Sequence, residues 1–268
     1  MASPPVVLTI AGFDPSSGAG ITADIKTIAA HGCYGVAAIT AVTAQSTMAV
    51  GRVMSLPAAL VRQTLEELAA DLTFAAVRIG MLGTGQIAEV VAEFLEHGQV
   101  PNVVLDPILR SSSGAVLLDP AGVEVLRTRL LPLAAVITPN LDEASVLTAT
   151  EVRTPAQMEA AAGRLHQLGA KAVVVKGGHL EADETLDLLS EAPTMSCREF
   201  RGPRLHSRAT HGTGCAFATA LACNLALGRP LPEAVGAAKQ FVATAIARAY
   251  PLGHGLGPLH HLFKLDEQ

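Results

Sequence analysis

The feature that most restricts how this chain can fold is a series of short apolar stretches, each ending at a polar or glycine-rich segment. Six of them occur, at residues 6–11, 36–44, 74–79, 103–105, 135–137 and 171–175. None shows strict alternation of apolar and polar residues, as expected of parallel strands covered on both faces. Helical spacing follows most of them, so the sequence predicts an α/β fold with a doubly wound, mostly parallel sheet flanked by helices. Because ligands of such sheets lie outside the carboxyl ends of the strands, the loops after these stretches should meet in one cleft.

A single domain over residues 1–268 is expected. No linker rich in Ser, Pro or Gly and no charge block divides the 268 residues. Hydrophobic residues make up 50% of the chain, which is enough to fill one large core. The pattern changes only between 180 and 208, where extended segments at 185–189 and 194–200 predict a small antiparallel hairpin, or flap, at the edge of the sheet.

Charge and cysteine content argue against several classes of protein. The formal net charge is −5 and the basic residues do not cluster, which argues against nucleic acid as a partner. No apolar run approaches the roughly 20 residues that cross a bilayer, which argues against a membrane partner. The four cysteines form no C-x-x-C pair, so we expect a reducing, cytoplasmic location and no structural zinc.

Residues 211–215 predict an anion site. They read His-Gly-Thr-Gly-Cys and run directly into 216–227, an Ala/Leu-rich stretch typical of a buried helix. Glycines on both sides of Thr213 let successive N–H groups point into one concavity, where the helix N-terminus adds partial positive charge. Cys215 lies in that field, which predicts a lowered thiol pKa and a role as base or nucleophile. The alternative is a helix cap whose glycines serve packing alone.

Polar residues at three other strand ends predict a phosphate and metal site. Asn140 and Glu143 have the spacing that places both side chains on one side of a helix's first turn, as oxygen ligands of Mg²⁺. The same spacing is that of a capping box. Asp106 is a second candidate for the metal or for the phosphate side of the site. Lys176, just before two glycines, can reach phosphate oxygens as a point charge.

Known nucleotide-binding motifs narrow the class of enzyme. The sequence has no G-x-x-x-x-G-K-[ST] element and no H-R-D or D-F-G set, which excludes P-loop NTPases and protein kinases. Residues 83–88 match G-x-G-x-x-[GA], with Asp106 downstream, as in a dinucleotide fingerprint. That fingerprint normally opens the first βαβ unit, whereas this match follows the third strand. A dehydrogenase is therefore the weaker interpretation.

Motifs along nearly the whole chain resemble those of one family. They are TIAGFDPSSGAGI (9–21), AQST (44–47), IGML (79–82), VLDP (104–107), TPNLDEA (138–144), KGGH (176–179), HGTGC (211–215) and GHGLGPLHH (253–261). In their order they are similar to the hydroxymethylpyrimidine/phosphomethylpyrimidine kinases of thiamine biosynthesis. These belong to the ribokinase-like superfamily, which also holds pyridoxal kinases. The resemblance implies a single ribokinase-like domain and a homodimer.

The resemblance also implies roles for individual residues. Gln45 would pair with the ring nitrogen and exocyclic amine of the pyrimidine, with Gly12 and Met81 as its neighbours around the ring. Cys215 would be the base near the substrate hydroxymethyl group. The other implied contacts are with phosphate, ATP and Mg²⁺: Gly212, Thr213 and Gly214 as the anion hole, Asp106, Lys176, Thr213 and Lys239 on ATP, and Asn140 and Glu143 on Mg²⁺.

The implied activity is that of a kinase that uses ATP and Mg²⁺. It would phosphorylate 4-amino-5-hydroxymethyl-2-methylpyrimidine and then convert the monophosphate to the diphosphate. A pyridoxal or pyridoxine kinase is the nearest alternative, and Gln45 and Met81 favour the pyrimidine without excluding the pyridine ring. A non-catalytic nucleotide-binding module would bind ATP without turnover, whereas the set of Cys215, Asn140 and Glu143 predicts turnover.

Overall fold

One sheet of nine strands organises the part of the chain that the structure describes. The structure, a computed structural model, describes residues 3–98, 100–111, 114–178, 180 and 183–267. The strands are β1 (Val6–Phe13), β2 (Tyr34–Gln45), β3 (Val50–Ser55), β4 (Ala76–Ile79), β5 (Val103–Leu105), β6 (Val136–Ile137), β7 (Ala172–Lys176), β8 (Glu184–Glu191) and β9 (Ser196–Pro203). Their order in the sheet is β3-β2-β1-β4-β5-β6-β7-β8-β9.

The centre of this sheet is parallel and both of its edges are antiparallel. The run β2-β1-β4-β5-β6-β7 is parallel and coincides with the six predicted stretches. At one edge β7 pairs with the β8–β9 hairpin, which confirms the predicted antiparallel flap. The strand β3, which pairs antiparallel with β2 at the other edge, is not predicted from the sequence. Its residues are exposed or half-buried and form no apolar run.

Helices cover both faces of the sheet. They are α1 (Gly20–Ala30), α2 (Ala58–Asp71), α3 (Gly85–His97), α4 (Pro120–Val125), α5 (Leu131–Leu133), α6 (Leu141–Thr148), α7 (Pro155–Gln167), α8 (Thr213–Ala226) and α9 (Leu231–Ala247). A π-helical turn joins α4 to α5. Adjacent residues of β1 belong to different cores, because Leu8 packs in the cluster with α2, α3 and α7 and Val7 in the cluster with α8 and α9. The doubly wound fold is thereby confirmed. No helix in the described ranges is long and apolar enough to span a bilayer.

The carboxyl ends of the parallel strands hold the polar residues. Asp106 follows β5 directly, and β7 ends at Lys176. A bridge between Asn140 and Lys176 continues the pairing of β6 with β7 beyond the end of β6. Three of the predicted phosphate-site and metal-site residues thus lie together at the carboxyl ends of the parallel strands.

Candidate active site

The start of α8 forms a concave backbone site around Thr213 and Gly214. Gly212 caps the helix with a φ of 82°, in the left-handed region, and a Cβ at this position would overlap the carbonyl oxygen of Gly18. Glycine therefore allows the loop at 14–19 and the start of α8 to approach closely. The first N–H groups of a helix have no intrahelical acceptor and carry its partial positive charge. The turn expected of an anion hole is present, and its binding of phosphate stays a prediction.

Cys215 lies in the first turn of α8, and its side chain is buried. Burial raises the pKa of its thiol, and although the Arg78 guanidinium opposes this, the carboxylates of Asp24 and Asp106 raise the pKa further. The expectation of a lowered thiol pKa is therefore wrong. Loss of hydration and two buried carboxylates outweigh the favourable charge of the guanidinium, so the thiol holds its proton at neutral pH.

A lysine ammonium group stands beside this helix start. Lys176 Nζ donates to Asp106 Oδ1 at 2.8 Å and lies 3.2 Å from the point that a Cβ on Gly214 would occupy. Burial disfavours both charges, but their mutual attraction raises the pKa of Lys176 and lowers that of Asp106. The pair therefore stays ionised. It places a fixed cation at the predicted anion hole.

Arg78 lies beside this pair and is not among the residues predicted from the sequence. Its guanidinium is fully buried and donates to Asp24 Oδ2 at 3.0 Å and to Asp106 Oδ2 at 2.9 Å. Burial opposes its charge, but the carboxylates of Asp24 and Asp106 raise the pKa of Arg78, so the guanidinium stays protonated. A signal was available in the sequence. Arg78 is the single charged residue of the apolar stretch 74–79, and a charge in a strand covered on both faces needs buried partners.

Asn140 and Glu143 form the capping box at the start of α6. The Glu143 N–H donates to Asn140 Oδ1 at 2.9 Å, and the Asn140 N–H donates to Glu143 Oε2 at 2.8 Å. The capping interpretation of their spacing is therefore confirmed. Burial raises the pKa of Glu143 to about 7; Lys176 opposes this rise and Asp106 adds to it. The carboxyl group thus lies in the same cluster as Lys176 and Asp106, and the positive charge around it is too small to hold its pKa at the ordinary value.

A divalent cation at this position would supply that charge. Asn140 and Glu143 offer amide and carboxylate oxygens, the kind of ligand that Mg²⁺ prefers. Mg²⁺ commonly takes one or two protein ligands and completes its shell with water and substrate phosphates. The residues present therefore fit the predicted ion, and their role as ligands stays a prediction.

Gly12 and Met81 lie against each other in a small apolar cluster. A Cβ on Gly12 would come within 2.9 Å of Met81 Sδ, so glycine leaves room for the thioether. Met81 is buried and packs with Ala41 and Leu117. The two residues predicted to be neighbours around the substrate ring are in contact, and their contact with substrate stays a prediction.

Gln45, at the end of β2, is held by side chains from two other segments. Its Nε2 lies 3.2 Å from His211 Nε2, and its Oε1 lies 3.1 Å from the Thr43 hydroxyl. The same His211 nitrogen is 2.8 Å from Asp14 Oδ2. Burial works against the charge of Asp14, but hydrogen bonds from His211 and Ser16 hold the pKa of Asp14 below its ordinary value.

This set of partners determines the orientation of the Gln45 amide. His211 Nε2 carries a proton in order to donate to the Asp14 carboxylate, so the amide group facing it must be the acceptor. The Thr43 hydroxyl donates to the Phe13 carbonyl at 3.1 Å, so it is free to accept from the amide NH₂. All these groups are satisfied when the Gln45 oxygen faces His211. Roles for Asp14 and His211 are not predicted from the sequence, because their contact joins residues almost 200 positions apart.

Lys239 lies on α9 and faces the hairpin. Its Nζ donates to Asp187 Oδ2 at 2.8 Å, and the other oxygen of Asp187 accepts from the Gly177 N–H at 3.1 Å. Lys239 is thus connected to the loop that follows Lys176, while its own ion pair is with Asp187. Its contact with ATP stays a prediction. His179, from the same motif as Lys176, lies outside the described residues.

The G-x-G-x-x-[GA] match at 83–88 serves packing and capping. A Cβ on Gly85 would lie 2.9 Å from the Cβ of Ala121, so glycine permits α3 and α4 to approach. The Gly85 N–H at the start of α3 donates to Asp119 Oδ1 at 3.0 Å. Because a carboxylate already occupies this helix terminus, the dinucleotide interpretation finds no support in the structure.

Known proteins resemble this chain over almost its whole length. The sequence model of the phosphomethylpyrimidine kinase family matches residues 14–260. A hydroxymethylpyrimidine/phosphomethylpyrimidine kinase from Streptomyces coelicolor is 44% identical over 265 residues, which cover 99% of this chain and 97% of that protein. A thiamine biosynthesis bifunctional protein from Geobacter sulfurreducens is 42% identical over 97% of this chain, which spans only about half, 53%, of that longer protein.

A solved structure shows the same fold with a nucleotide bound. The ADP complex of Bacillus subtilis pyridoxal kinase has a TM-score of 0.89 and 35% sequence identity, and the match covers 98% of this chain and 100% of that one. A pyridoxal kinase therefore shares the fold described above.

Proposed function

Because the chain belongs to the phosphomethylpyrimidine kinase family of thiamine biosynthesis, we propose the following roles for its residues in binding, orienting and deprotonating the substrate. The activity is transfer of phosphate from ATP to hydroxymethylpyrimidine and then to its monophosphate. One observation supports the assignment of roles more than any other. The Lys176–Asp106 pair stands beside the start of α8, where a phosphoryl group in transfer needs positive charge and N–H donors.

Lys176 and the backbone around Thr213 and Gly214 bind the transferred phosphoryl group. Phosphoryl transfer depends mainly on positioning and on neutralising the charge of the equatorial oxygens. The ammonium is held in place by Asp106, so little reorganisation is needed when ATP binds. Asn140 and Glu143 would hold Mg²⁺, which would supply further positive charge for the nucleotide phosphates.

Gln45 recognises the edge of the aminopyrimidine. With its oxygen toward His211 and one N–H donated to the Thr43 hydroxyl, the amide still has a second lone pair and one N–H donor, fixed in one plane. The oxygen can accept from the exocyclic amine and the NH₂ group can donate to the adjacent ring nitrogen. Gly12 and Met81 provide the apolar wall for the ring.

Cys215 accepts the proton of the hydroxymethyl group in the first transfer. An alcohol is protonated at neutral pH and gains from a base as its oxygen attacks phosphorus. The second acceptor is a phosphate monoester, whose second pKa is about 6, so its oxygen is already an anion. The two transfers therefore differ in their need for Cys215.

Replacing Cys215 with alanine is expected to impair the first transfer much more than the second. Loss of a general base typically lowers a rate by about 10²- to 10⁴-fold, whereas the second transfer should fall by less than about tenfold. The measurement is the single-turnover rate with hydroxymethylpyrimidine and, separately, with its monophosphate. Cys223→Ala is the matched control, since it removes another buried thiol from the same helix. If Cys215→Ala lowered the rates of both transfers by the same factor, that result would contradict the role of Cys215 as the base.

The two transfers should also differ in pH dependence. A base must be unprotonated to act, and burial holds the pKa of Cys215 above its ordinary value of about 8.5. The first transfer should therefore accelerate with rising pH into the alkaline range, while the second should level off above about pH 7. Single-turnover rates across this range test the difference. The alkaline rise should disappear in Cys215→Ala, and its persistence there would assign it to another group.

A transfer assay with three acceptors tests the function itself. MgATP is offered with hydroxymethylpyrimidine, its monophosphate or pyridoxal, and the products are identified by mass. Diphosphate formed from the pyrimidine is the expected result. Pyridoxal is included because a pyridoxal kinase shares the fold at a TM-score of 0.89. Pyridoxal phosphate as the only product would make the chain a vitamin B6 kinase, and absence of every product would favour a non-catalytic nucleotide-binding module.

A homodimer through the β2–β3 edge is part of the same proposal. Met48 and Met54 are 69% and 55% exposed, and apolar side chains grouped at one edge of a sheet are a feature of protein interfaces. Leu256 is also exposed. Its N–H donates to the Thr47 carbonyl at 3.0 Å, so it extends the same patch. Light scattering should give twice the chain mass for the native protein and the chain mass for a Met48→Lys, Met54→Lys double variant. A monomeric native protein would contradict the proposal.

A further inference from the structure

The Arg78 guanidinium joins three elements that the roles above treat separately. From β4 it reaches Asp24 on α1 at 3.0 Å and Asp106 after β5 at 2.9 Å, and its charge acts on the thiol of Cys215 at the start of α8. Its side chain has no exposed surface. A buried cation is stable only with such partners, so the two carboxylates fix the guanidinium in one position.

Two connections lead from Arg78 to Cys215. The first is electrostatic, since the positive charge of the guanidinium favours negative charge on the sulfur. The second passes through Asp24 and Thr219, since the Thr219 hydroxyl lies 2.7 Å from Asp24 Oδ1 and 2.8 Å from the Cys215 carbonyl oxygen. Both the side chain and the backbone of Cys215 therefore depend on where Arg78 and Asp24 lie.

Gly80 provides the space that the guanidinium occupies. A Cβ at this position would overlap Arg78 Nη1 and lie 2.6 Å from its Cζ. The backbone of Gly80 is outside the left-handed region, so an alanine there introduces a steric conflict with Arg78 without backbone strain. The molecule thus offers a way to displace the guanidinium while keeping its charge.

We propose that Arg78 is a positioning residue for the first phosphate transfer: through Asp24 and Thr219 it holds Cys215 at the substrate hydroxymethyl group, and its charge favours negative charge on the sulfur. The inference rests on the proposed function. In the step, the hydroxymethyl oxygen bonds to the γ-phosphorus, the bond from that phosphorus to the leaving ADP oxygen breaks, and the hydroxyl proton passes to the thiolate sulfur and later to water. Arg78 and Lys176 favour charge on the sulfur, and Asp24 and Asp106 oppose it.

This role predicts a step-specific effect that a general structural role would not produce. Arg78→Met should lower the ratio of the first to the second transfer rate by at least about tenfold, because only the first transfer uses the sulfur. Arg78→Lys should recover part of the ratio, since an ammonium keeps the charge but cannot reproduce the planar fork that meets two carboxylates. Gly80→Ala should lower the ratio in the same direction as Arg78→Met. Gly163→Ala, on α7 with no atom near the new Cβ, is the glycine control and should leave the ratio unchanged.

A double-mutant cycle with Cys215→Ala completes the test. Single-turnover rates of both transfers are measured with saturating MgATP for each variant, alongside its thermal unfolding. In the Cys215→Ala background the Arg78 substitutions should leave the ratio unchanged to within about twofold, because the group on which Arg78 acts is gone. Equal losses in both transfers, or the same change of ratio without Cys215, would overturn the inference while leaving the kinase function intact. Absence of transfer by the native protein would instead refute the function. If Arg78→Met does not fold, Arg78→Lys and Gly80→Ala decide the question in the same cycle.

Discussion

Lys176→Met should reduce phosphate transfer to both pyrimidine substrates by about 10³-fold or more. The substitution keeps the length of the side chain but removes the ammonium that lies 2.8 Å from Asp106 and beside Gly214. Both transfers move the same γ-phosphoryl group and need the same neutralising charge. The ratio of the two rates should therefore stay unchanged, in contrast to the effect of Cys215→Ala. Single-turnover rates with saturating MgATP measure both quantities.

Two other lysines provide controls for this result. Lys171, just before β7, is exposed, and its replacement by methionine should leave the rates unchanged. Lys239 is partly buried against Asp187, as Lys176 is against Asp106, so Lys239→Met removes a comparable ion pair. If Lys239 contacts ATP, that variant should raise KM for ATP with only a small change in kcat. A Lys176→Met enzyme that keeps a tenth of the native rate would remove Lys176 from the proposed role.

The parallel core of this fold could be predicted because burial on both faces leaves a visible pattern. Strands such as β1 and β7 are apolar along their length, and the loop after each carries the polar residues. The strand β3 could not be predicted in this way. It lies at an edge, and pairing with β2 rather than burial keeps it in place, so its sequence has no periodic signal.

The polar residues that follow the strands could also be predicted from the sequence. Asp106, Asn140 and Lys176 come together because parallel strands end on the same side of the sheet. The state of Cys215 was not predictable, since its pKa depends on burial and on carboxylates from α1 and from the end of β5. A helix terminus is a local feature of the sequence, whereas the loss of hydration is a property of the packed structure.

The Asn140–Glu143 pair shows why one spacing supported two interpretations. A side chain that caps a helix start also lies at the carboxyl end of the preceding strand, which is where ligands bind in this kind of sheet. The capping box uses one carboxylate oxygen of Glu143 and leaves its charge poorly compensated, with a pKa of about 7. The cap orients the carboxyl group, and this orientation is what a metal ligand would need.

Gly212→Ala should abolish both transfers and lower the thermal stability of the protein. The new Cβ would overlap the Gly18 carbonyl oxygen, and the φ of 82° is unfavourable for alanine by about 1–2 kcal/mol. The start of α8 must then move away from the loop at 14–19, and the N–H groups of Thr213 and Gly214 move with it. A displacement of about 1 Å at a site of transfer can lower a rate by about 10²-fold, and here several groups shift together.

Gly228→Ala separates the effect of backbone strain from that of the close approach. Gly228 follows the other end of α8 with a φ of 80°, and no atom lies within 4 Å of the Cβ that alanine would add. This variant should lose about 1–2 kcal/mol of stability through the same left-handed conformation while transferring phosphate at the native rate. The difference in transfer rate between Gly212→Ala and Gly228→Ala then measures how much the close approach of Gly212 to Gly18 contributes to phosphate transfer. Native transfer rates in a folded Gly212→Ala protein would mean that these glycines serve packing alone and that phosphate binds elsewhere in the cleft.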